Sequence, residues 1–129
     1  MDTMKLDEIP LFSSMSRRDR KDLARHVEEI DIPEGREIVK EGWFAYEFYV
    51  IREGAAEVLD GDRHLSDLGP GDFFGEIALR APALSRTATV VARSPMKLVV
   101  MTDQDYRGMR RAHPHVAEIL EEAIAERRD

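Results

Sequence analysis

The sequence contains no cysteine, which excludes disulfide bonds and thiol catalysis. No apolar run approaches the roughly 20 residues that a membrane-spanning helix needs. No basic-then-apolar leader begins the chain, so we expect a cytoplasmic protein. Basic residues are outnumbered by acidic ones, 19 to 26, which gives a formal net charge of −7. Nonspecific nucleic-acid binding depends on Lys and Arg neutralising phosphates, and this charge balance argues against it.

Residues suited to metal binding or nucleophilic catalysis are also scarce. The four histidines are His26, His64, His113 and His115, and none has the paired spacing with a nearby carboxylate that a metal site needs. No serine or threonine stands in a recognisable arrangement with a histidine and a carboxylate. We therefore expect no metal, no cofactor and no enzymatic activity.

Short β-prone runs fill the middle of the chain. The 129 residues suit one domain, and an apolar content of 43% is enough for a core. Between residues 32 and 101, glycines recur at intervals of roughly ten residues, and turn signals at this spacing favour a β-barrel or a sandwich. Asp60-Gly61 predicts a hairpin, and Gly69-Pro70-Gly71-Asp72 predicts a tight turn. The β-prone runs are 38–39, 48–51, 55–59, 87–92 and 97–101.

The beginning of the chain has a helical pattern. Ser16 is a good N-cap, and Asp19 three residues later makes a weaker version of a capping box. The apolar residues that recur at helical spacing after this cap are Leu23, Ala24, Val27 and Ile30. The basic residues of the same stretch predict a solvated helix face, and they are Arg17, Arg18, Arg20, Lys21 and Arg25.

The end of the chain predicts two further helices. Thr102 is a plausible N-cap for the first, and Pro114 suits the first turn of the second. In the second helix Glu118, Glu122 and Glu126 form like-charge pairs four residues apart, which are mildly destabilising in an isolated helix. We therefore expect this helix to depend on docking. Its apolar stripe is Val116, Ile119, Leu120, Ala123 and Ile124.

Residues 72–90 carry most of the chemical information. Phe74-Gly75-Glu76 leads into a predicted short helix, and Arg86 follows Glu76 by ten residues. Free backbone N–H groups at a helix N-terminus attract an anion, and a guanidinium grips phosphate oxygens in a bidentate manner. A carboxylate would repel phosphate, but it accepts hydrogen bonds from a sugar hydroxyl. The segment therefore predicts a site for a sugar phosphate.

This segment resembles the phosphate-binding cassette of the cyclic nucleotide-binding domain family. The family pattern runs Phe-Gly-Glu, Ile or Leu, Ala, Leu, and then Arg, a small residue and Ala. Six residues separate Leu79 from Arg86, a gap that is longer than in kinase and channel members and similar to that of bacterial catabolite activator proteins. The resemblance extends to residues 9–12, 33–39, 49–51 and 54–58. The ligand-binding residues that it implies are Phe74, Gly75, Glu76, Ile77, Ala78, Leu79, Ser85, Arg86, Thr87 and Ala88.

The resemblance also implies roles within the cassette. Arg86 would hold the phosphate, Glu76 the ribose, and the N–H of Ala78 would face the phosphate. Thr87 lies where the family often contacts the purine, and a hydroxyl there keeps cyclic GMP open as a ligand. Second interpretations remain from the residues alone: Arg86 as a surface residue, Glu76 as its ion-pair partner, Gly75 as a turn residue, Ala78 as a packing residue and Thr87 as an ordinary strand residue.

The fold implied is mainly β, an eight-stranded antiparallel barrel of the jelly-roll type with helices at both ends. We expect one cyclic nucleotide-binding domain over residues 1–129 that binds cyclic AMP in preference to cyclic GMP. Binding would draw the last helix over the base, with Leu120 or Ile124 as its apolar cap. The expected parts are a helical segment at 1–31, the barrel at 32–101 with the cassette at 74–88, and the C-terminal helices at 102–129.

An aromatic stretch at residues 41–49 departs from the family, whose members are usually polar and acidic here. Phe48 and Tyr49 are predicted to belong to the barrel, whereas Trp43 and Phe44 fall in a predicted loop. The favoured interpretation is that these two rings fold back onto the core. Alternatively they form an exposed apolar patch, which would mark an interface with a second copy or an effector protein. The C-terminal helix is another candidate for such a contact.

Three other functions deserve comparison with nucleotide binding. An interaction module could retain this fold and work without nucleotide. A metal-dependent enzyme on a related small barrel would need a cluster of histidine ligands, which the sequence does not offer. A DNA-binding regulator would need a helix-turn-helix after the last helix, and we expect none because the sequence ends at Asp129.

Overall fold

The computed structural model of this protein describes residues 1–13, 15–43, 46–76 and 88–127. Its helices are α1 (Thr3–Asp7), α2 (Pro10–Ser13), α3 (Arg17–Ala24), α4 (Asp103–Ala112) and α5 (Pro114–Arg127). Its strands are β1 (Glu28–Ile32), β2 (Glu37–Val39), β3 (Glu47–Glu53), β4 (Ala56–Asp60), β5 (Arg63–Leu68), β6 (Phe73–Phe74), β7 (Thr89–Ala92) and β8 (Met96–Thr102).

The strands form two four-stranded antiparallel sheets. The first sheet has the order β1-β8-β3-β6, and the second has the order β2-β7-β4-β5. The predicted mainly β fold with flanking helices is confirmed, but the expected closed barrel is wrong, because no ladder joins the two sheets within the described ranges. Two edge strands are short, with three residues in β2 and two in β6. The strand spacing in the sequence was compatible with either arrangement.

Side-chain alternation along β3 explains why this strand is buried on both faces. Phe48 and Val50 point into a cluster shared with the helices. Tyr49 and Ile51 point into a second cluster, between the two sheets. Successive side chains of a strand face opposite sides, so the first sheet is the middle layer of three. Helices cover one of its faces, and the second sheet covers the other.

The N-terminal helix is shorter than its apolar spacing predicts. The cap is confirmed, because the backbone N–H of Asp19 donates to Ser16 Oγ at 3.1 Å. The helix ends at Ala24, however, and Ile30 lies in β1 opposite Leu98 of β8. The helical interpretation of Ile30 was therefore wrong, and so was the helical boundary at residue 31. Ile30 and Ile32 also fit a strand period of two, and five paired positions with β8 decide between the two patterns.

One arginine of the basic stretch leaves the predicted solvated face. The side chain of Arg20 is only 15% exposed and forms an ion pair with Asp7. It also donates to the backbone carbonyl of Met15, so it ties α3 to the segments that precede it. The prediction of a solvated face is confirmed for the other four residues, Arg17, Arg18, Lys21 and Arg25, which are exposed.

The hairpin predicted at Asp60-Gly61 joins β4 to β5. Asp60 pairs with Arg63 across the turn, and Gly61 has a positive φ of 61°. Strand β5 is not among the β-prone runs predicted from the sequence. The residues of β5 are exposed apart from Leu68, which is half-buried, so the strand has no alternation of buried and exposed side chains. It also lacks the β-branched and aromatic side chains that are enriched in strands.

The two C-terminal helices begin where the sequence predicts. Thr102 and Asp105 form a reciprocal capping box at the start of α4, and Pro114 is the first residue of α5. The buried hydroxyl of Tyr106 donates to Glu121 Oε1, which joins the two helices. Burial raises the pKa of Tyr106, and the hydrogen bond to Glu121 raises it further. No helix of the described part of the chain is both long and apolar enough to cross a membrane.

Candidate ligand site

A tight turn delivers the chain to the cassette. The backbone N–H of Gly69 donates to Asp72 Oδ2 at 2.8 Å, and the N–H of Asp72 donates to the carbonyl of Gly69 at 3.0 Å. The turn is also fixed to β3, because Gly71 N donates to Ile51 O at 2.9 Å and Ile51 N donates to Asp72 O at 2.8 Å. The turn predicted at residues 69–72 is therefore confirmed.

Two aromatic contacts hold β6 at the edge of the first sheet. Phe74 lies opposite Tyr49, and their rings stack with centroids 4.9 Å apart. Phe73 points to the helical side, where its ring centroid is 5.8 Å from that of Phe48. Phe48 and Tyr49 lie in β3, as the β-prone run at 48–51 predicts, and both are buried. Stacked and tilted ring pairs of this kind are favourable beyond their buried area, so the entrance to the cassette is well anchored.

Gly75 follows β6 with a φ of 78°. Residues other than glycine rarely adopt this left-handed backbone conformation. Because the backbone alone requires glycine here, its presence does not by itself indicate a close approach of a ligand. Glu76 is half-buried and is the last described residue before the central part of the cassette.

Most of the predicted ligand-binding residues lie outside the described residues. They are Ile77, Ala78, Leu79, Ser85, Arg86 and Thr87. The chain is described again from Ala88, which is half-buried and leads directly into β7. Since β6 is an edge strand of the first sheet and β7 is an inner strand of the second, the cassette connects the two sheets.

Hydrogen bonds join the aromatic loop between β2 and β3 to the start of β7 and to the start of α4. The backbone N–H of Glu41 donates to Thr89 Oγ1, at the start of β7, at 3.1 Å. The carbonyl of Tyr46 accepts from the N–H of Asp103, at the start of α4, at 2.8 Å. The loop therefore spans from the strand that leaves the cassette to the first C-terminal helix. The role of Thr89 was not predictable, because a threonine at a strand start carries no distinctive signal.

The exposure of the loop corrects one prediction. Trp43 is 52% exposed and Tyr46 is 47% exposed, so the favoured interpretation that Trp43 folds onto the core is wrong. Backbone hydrogen bonds at Glu41 and Tyr46 fix the loop to β7 and α4, and the Trp43 ring between these two points stays half exposed. Phe44 lies outside the described residues.

The two proposed capping residues are buried in this structure. Leu120 is 0% exposed and Ile124 is 3% exposed, and both belong to the apolar cluster of the helices. That cluster includes Leu11 and Phe12 of α2 and Leu23 of α3. A capping role over a base would therefore require α5 to move away from these neighbours.

A groove of about 460 Å³ lies at the opposite end of the first sheet. Its lining includes Asp31, Glu53 and Lys97. Lys97 donates to Asp31 at 2.8 Å, and this contact lowers the pKa of Asp31. Glu53 and Lys97 are paired at one end of β3, whereas Phe74 is paired nearer the other end. The groove thus lies toward the other end of β3 from Phe74, the first residue of the cassette. Within the described ranges, no group of three or more acidic and histidine side chains is arranged to hold a metal ion.

Comparison with known proteins assigns this arrangement to a family. The profile of the cyclic nucleotide-binding domain matches residues 29–113. The chain belongs to the cyclic nucleotide-binding domain family. The match begins in β1 and ends at His113, so it contains both sheets and the cassette, whereas α5 follows it. The resemblance inferred from the sequence is confirmed.

Individual members of the family align with most of this cyclic nucleotide-binding domain. The cAMP-dependent protein kinase regulatory subunit of Schizosaccharomyces pombe (strain 972 / ATCC 24843) is 34% identical over 94 residues, which are 72% of this chain and 23% of that subunit. The chain spans less than a quarter of the length of the curated relatives that it matches.

Solved structures share the fold. The N-terminal domain of a transcriptional regulator from Streptomyces coelicolor A3(2) superimposes with a TM-score of 0.79 at 27% identity, covering 98% of this chain and 92% of that chain. The catabolite activator protein of Thermus thermophilus superimposes with a TM-score of 0.76 at 28% identity, covering 92% of this chain and 57% of that chain.

Proposed function

We propose that this chain is a regulatory module that reversibly binds a 3′,5′-cyclic nucleotide in the cassette at 74–88, cyclic AMP in preference to cyclic GMP. The observation that carries the proposal is the position of the family motif. It starts at Phe74 on the edge of the first sheet and ends at Ala88, directly before β7 of the second sheet. A regulatory subunit of a cAMP-dependent kinase among the relatives supports both the nucleotide and the regulatory role.

Arg86 and Glu76 divide the recognition of the ligand between them in this proposal. The Arg86 guanidinium pairs with the phosphate oxygens, and a bidentate pair of this kind gives both energy and orientation. The Glu76 carboxylate accepts a hydrogen bond from the ribose 2′-hydroxyl. The half-buried position of Glu76, directly after the anchored strand β6, supports a fixed acceptor. The N–H of Ala78 adds a donor to the phosphate.

Thr87 sets the balance between the two nucleotides. A hydroxyl at this position can meet the 2-amino group of a guanine in the syn orientation, and adenine has no such group. A neutral hydrogen bond of this kind is worth about 1 kcal/mol. We still favour cyclic AMP, because the gap of six residues between Leu79 and Arg86 resembles that of bacterial cyclic AMP receptors.

Helix α5 is the proposed moving part. Leaving its present position would expose Leu120 and Ile124, at a cost of roughly 1.5–3 kcal/mol for each side chain. A bound purine base offers a replacement apolar surface for one of these two side chains. Ligand binding therefore lowers the free-energy cost of moving α5. A ligand shifts such an equilibrium only through its different affinity for the two positions of the helix.

Titration calorimetry with cyclic AMP and cyclic GMP tests this function. We expect Arg86→Ala to lose about 2–4 kcal/mol of binding, about 30- to 1000-fold, because the charge-assisted pair with the phosphate is lost. Arg86→Lys should also be impaired, because an ammonium cannot reproduce the guanidinium fork. Arg80→Ala is the matched control, since Arg80 lies in the same segment but outside the motif. Undiminished binding by Arg86→Ala would refute the assignment.

A second candidate is a protein-interaction module on the same fold. The half-exposed Trp43, in a loop tied to the strand that leaves the cassette, favours a contact surface there. The partner would be a second copy or an effector protein, at this loop or at α5. If neither nucleotide binds in the calorimeter while the fold is intact, this candidate replaces the first.

A further inference from the structure

Two exposed helix faces of this chain carry stripes of opposite charge with the same spacing. The first stripe is basic, lies on α3 and its C-cap, and consists of Arg17, Lys21 and Arg25. The second stripe is acidic, lies on α5, and consists of Glu118, Glu122 and Glu126. Residues four apart share one face of a helix, so each stripe repeats about every 6 Å and the two match in pitch. We call them the basic stripe and the acidic stripe.

Neither stripe meets its counter-charge within the described part of its own molecule. All six residues are exposed, and their side chains form no ion pair within the described ranges. Like charges four residues apart destabilise a helix, so each stripe carries a cost that an opposite charge would remove. Helix α3 packs against α5, but it does so with another side, where Asp22 lies 3.5 Å from His113 and Asp19 lies 3.6 Å from His115.

The loop of the exposed Trp43 and the helix of the acidic stripe meet the same part of α4. The carbonyl of Tyr46, in this loop, accepts from the N–H of Asp103, the first residue of α4. About one turn further along α4, Tyr106 donates to Glu121 of α5. The loop therefore adds an apolar ring to a charged surface, and an apolar centre with a polar border is the composition of a protein interface.

We propose that the acidic stripe and the Trp43 loop of one molecule dock on the basic stripe of a second copy. Equal spacing brings three carboxylates opposite three cations in register. A second copy is the occupant because it carries both stripes, so one contact can be made in each direction around a two-fold axis. This inference goes beyond nucleotide binding, and it names the partner and the register of the contact surface in the second candidate function.

The charges and the aromatic ring contribute differently to this contact. An exposed ion pair adds little energy, whereas charge complementarity fixes orientation and disfavours wrong partners. Two copies with a net charge of −7 each repel at long range. The matched stripes therefore select the orientation in which opposite charges meet, and the Trp43 ring supplies apolar area to bury there.

Sedimentation equilibrium without nucleotide tests the docking by exchanging one charge on each stripe. A salt concentration of about 0.1 M screens the long-range repulsion and leaves close ion pairs in place. Lys21 and Glu122 are the central residues, so they are opposite each other whichever way the helices run. We expect the parent to dimerise, and both Lys21→Glu and Glu122→Lys to weaken the dimer by about tenfold, because like charges then meet.

Mixing the two variants restores the complementarity. Equal amounts of the Lys21→Glu and Glu122→Lys chains should associate about as tightly as the parent, and so should the chain with both changes. Arg63→Glu is the matched control, because it makes the same change of net charge at an exposed position on β5, and it should leave the dimer unchanged. Each reversal also removes repulsion within its own helix, so urea denaturation should show no loss of stability.

Three results would overturn the proposal. They are a parent that stays monomeric, a Lys21→Glu variant that dimerises as tightly as the Arg63→Glu control, and a mixture that fails to restore association. If the basic stripe instead meets an anionic lipid surface, the parent will stay monomeric and will sediment with phosphatidylglycerol vesicles, whereas Lys21→Glu will not. Because no nucleotide is present, failure to bind cyclic nucleotides gives none of these results.

Discussion

Gly54 turns the chain from β3 into β4 and has two reasons to be glycine. Its φ is 99°, and a Cβ placed on it would lie 2.5 Å from the carbonyl oxygen of Pro95. Gly35 has a similar φ of 89°, but nothing lies within 4 Å of its Cβ position. We expect Gly35→Ala to cost about 1–2 kcal/mol from backbone strain. Gly54→Ala should cost about 1–3 kcal/mol more, because its environment is already filled.

Urea denaturation of the two variants measures this difference directly. The backbone strain is nearly the same in both, so their comparison isolates the steric clash. Equal losses of unfolding free energy would show that the Pro95–Met96 segment moves aside without cost, and the clash at Gly54 would not matter.

The proposed role of Glu76 can be tested by removing the ribose hydroxyl from the ligand. If its carboxylate accepts the ribose 2′-hydroxyl, the parent should bind cyclic AMP more tightly than the 2′-deoxy analogue. Glu76→Gln should shrink this preference, because a hydrogen bond to a charged acceptor is worth about 1.5–3 kcal/mol and a neutral one less. Glu34→Gln, which removes an exposed carboxylate between β1 and β2, should leave the preference intact. Equal binding of both nucleotides by the parent would contradict the role of Glu76.

Helix α5 is the element on which the proposed regulation depends. Its three glutamates at spacing four weaken it alone, and it is held by Leu120, Ile124 and the hydrogen bond from Tyr106 to Glu121. We expect saturating cyclic AMP to slow hydrogen exchange of residues 114–126 more than exchange of β1 and β8, the strands of the first sheet that do not pair with β6. Unchanged protection of α5 in the liganded protein would remove the lid mechanism while leaving nucleotide binding intact.

At the scale of the whole molecule, the exposed aromatic loop bears on assembly. Most soluble oligomers are symmetric assemblies of identical chains, so a second copy is the simplest partner for Trp43. We expect replacement of Trp43 and Phe44 by Ser to convert a dimer into a monomer in sedimentation, with an unchanged far-ultraviolet circular dichroism spectrum. Leu65→Ser is the control, because Leu65 is 47% exposed on β5. A parent that sediments as a monomer would exclude the dimer, and a double variant that unfolds would show that at least one of the two rings supports the fold.

The elements with strong local signals were predictable. Ser16, Thr102 and Pro114 define helix starts through local backbone chemistry, and Asp60-Gly61 defines a turn that only a few residues fit. Elements defined by distant partners were not. Ile30 joined a strand because Leu98 of β8 pairs with it, and this partner is not visible within a local window of sequence. Strand β5 was missed for another reason: its hairpin signal was local, but its own residues include no β-branched or aromatic side chain.

The candidate site was also predictable only where its residues are close together in the sequence. The order and spacing of Gly75, Glu76 and Arg86 were sufficient to suggest a phosphate and a sugar, because each residue type has a specific chemistry. The attachment of the Trp43 loop to Thr89 was not predictable, since a hydrogen bond between residues 41 and 89 has no local signature. The roles of Arg86, Thr87 and Ala78 stay predictions.

The sequence by itself determined the family, the starts of α3, α4 and α5, and the turns at 60–61 and 69–72, because these depend on residue types at short spacing. Only the tertiary structure decided that the eight described strands form two open sheets instead of a barrel. It alone decided that Trp43 is exposed, that Leu120 and Ile124 are buried among helices, and that His113 faces Asp22. These facts depend on which distant segments pack together, and packing is decided by the free energy of the whole chain.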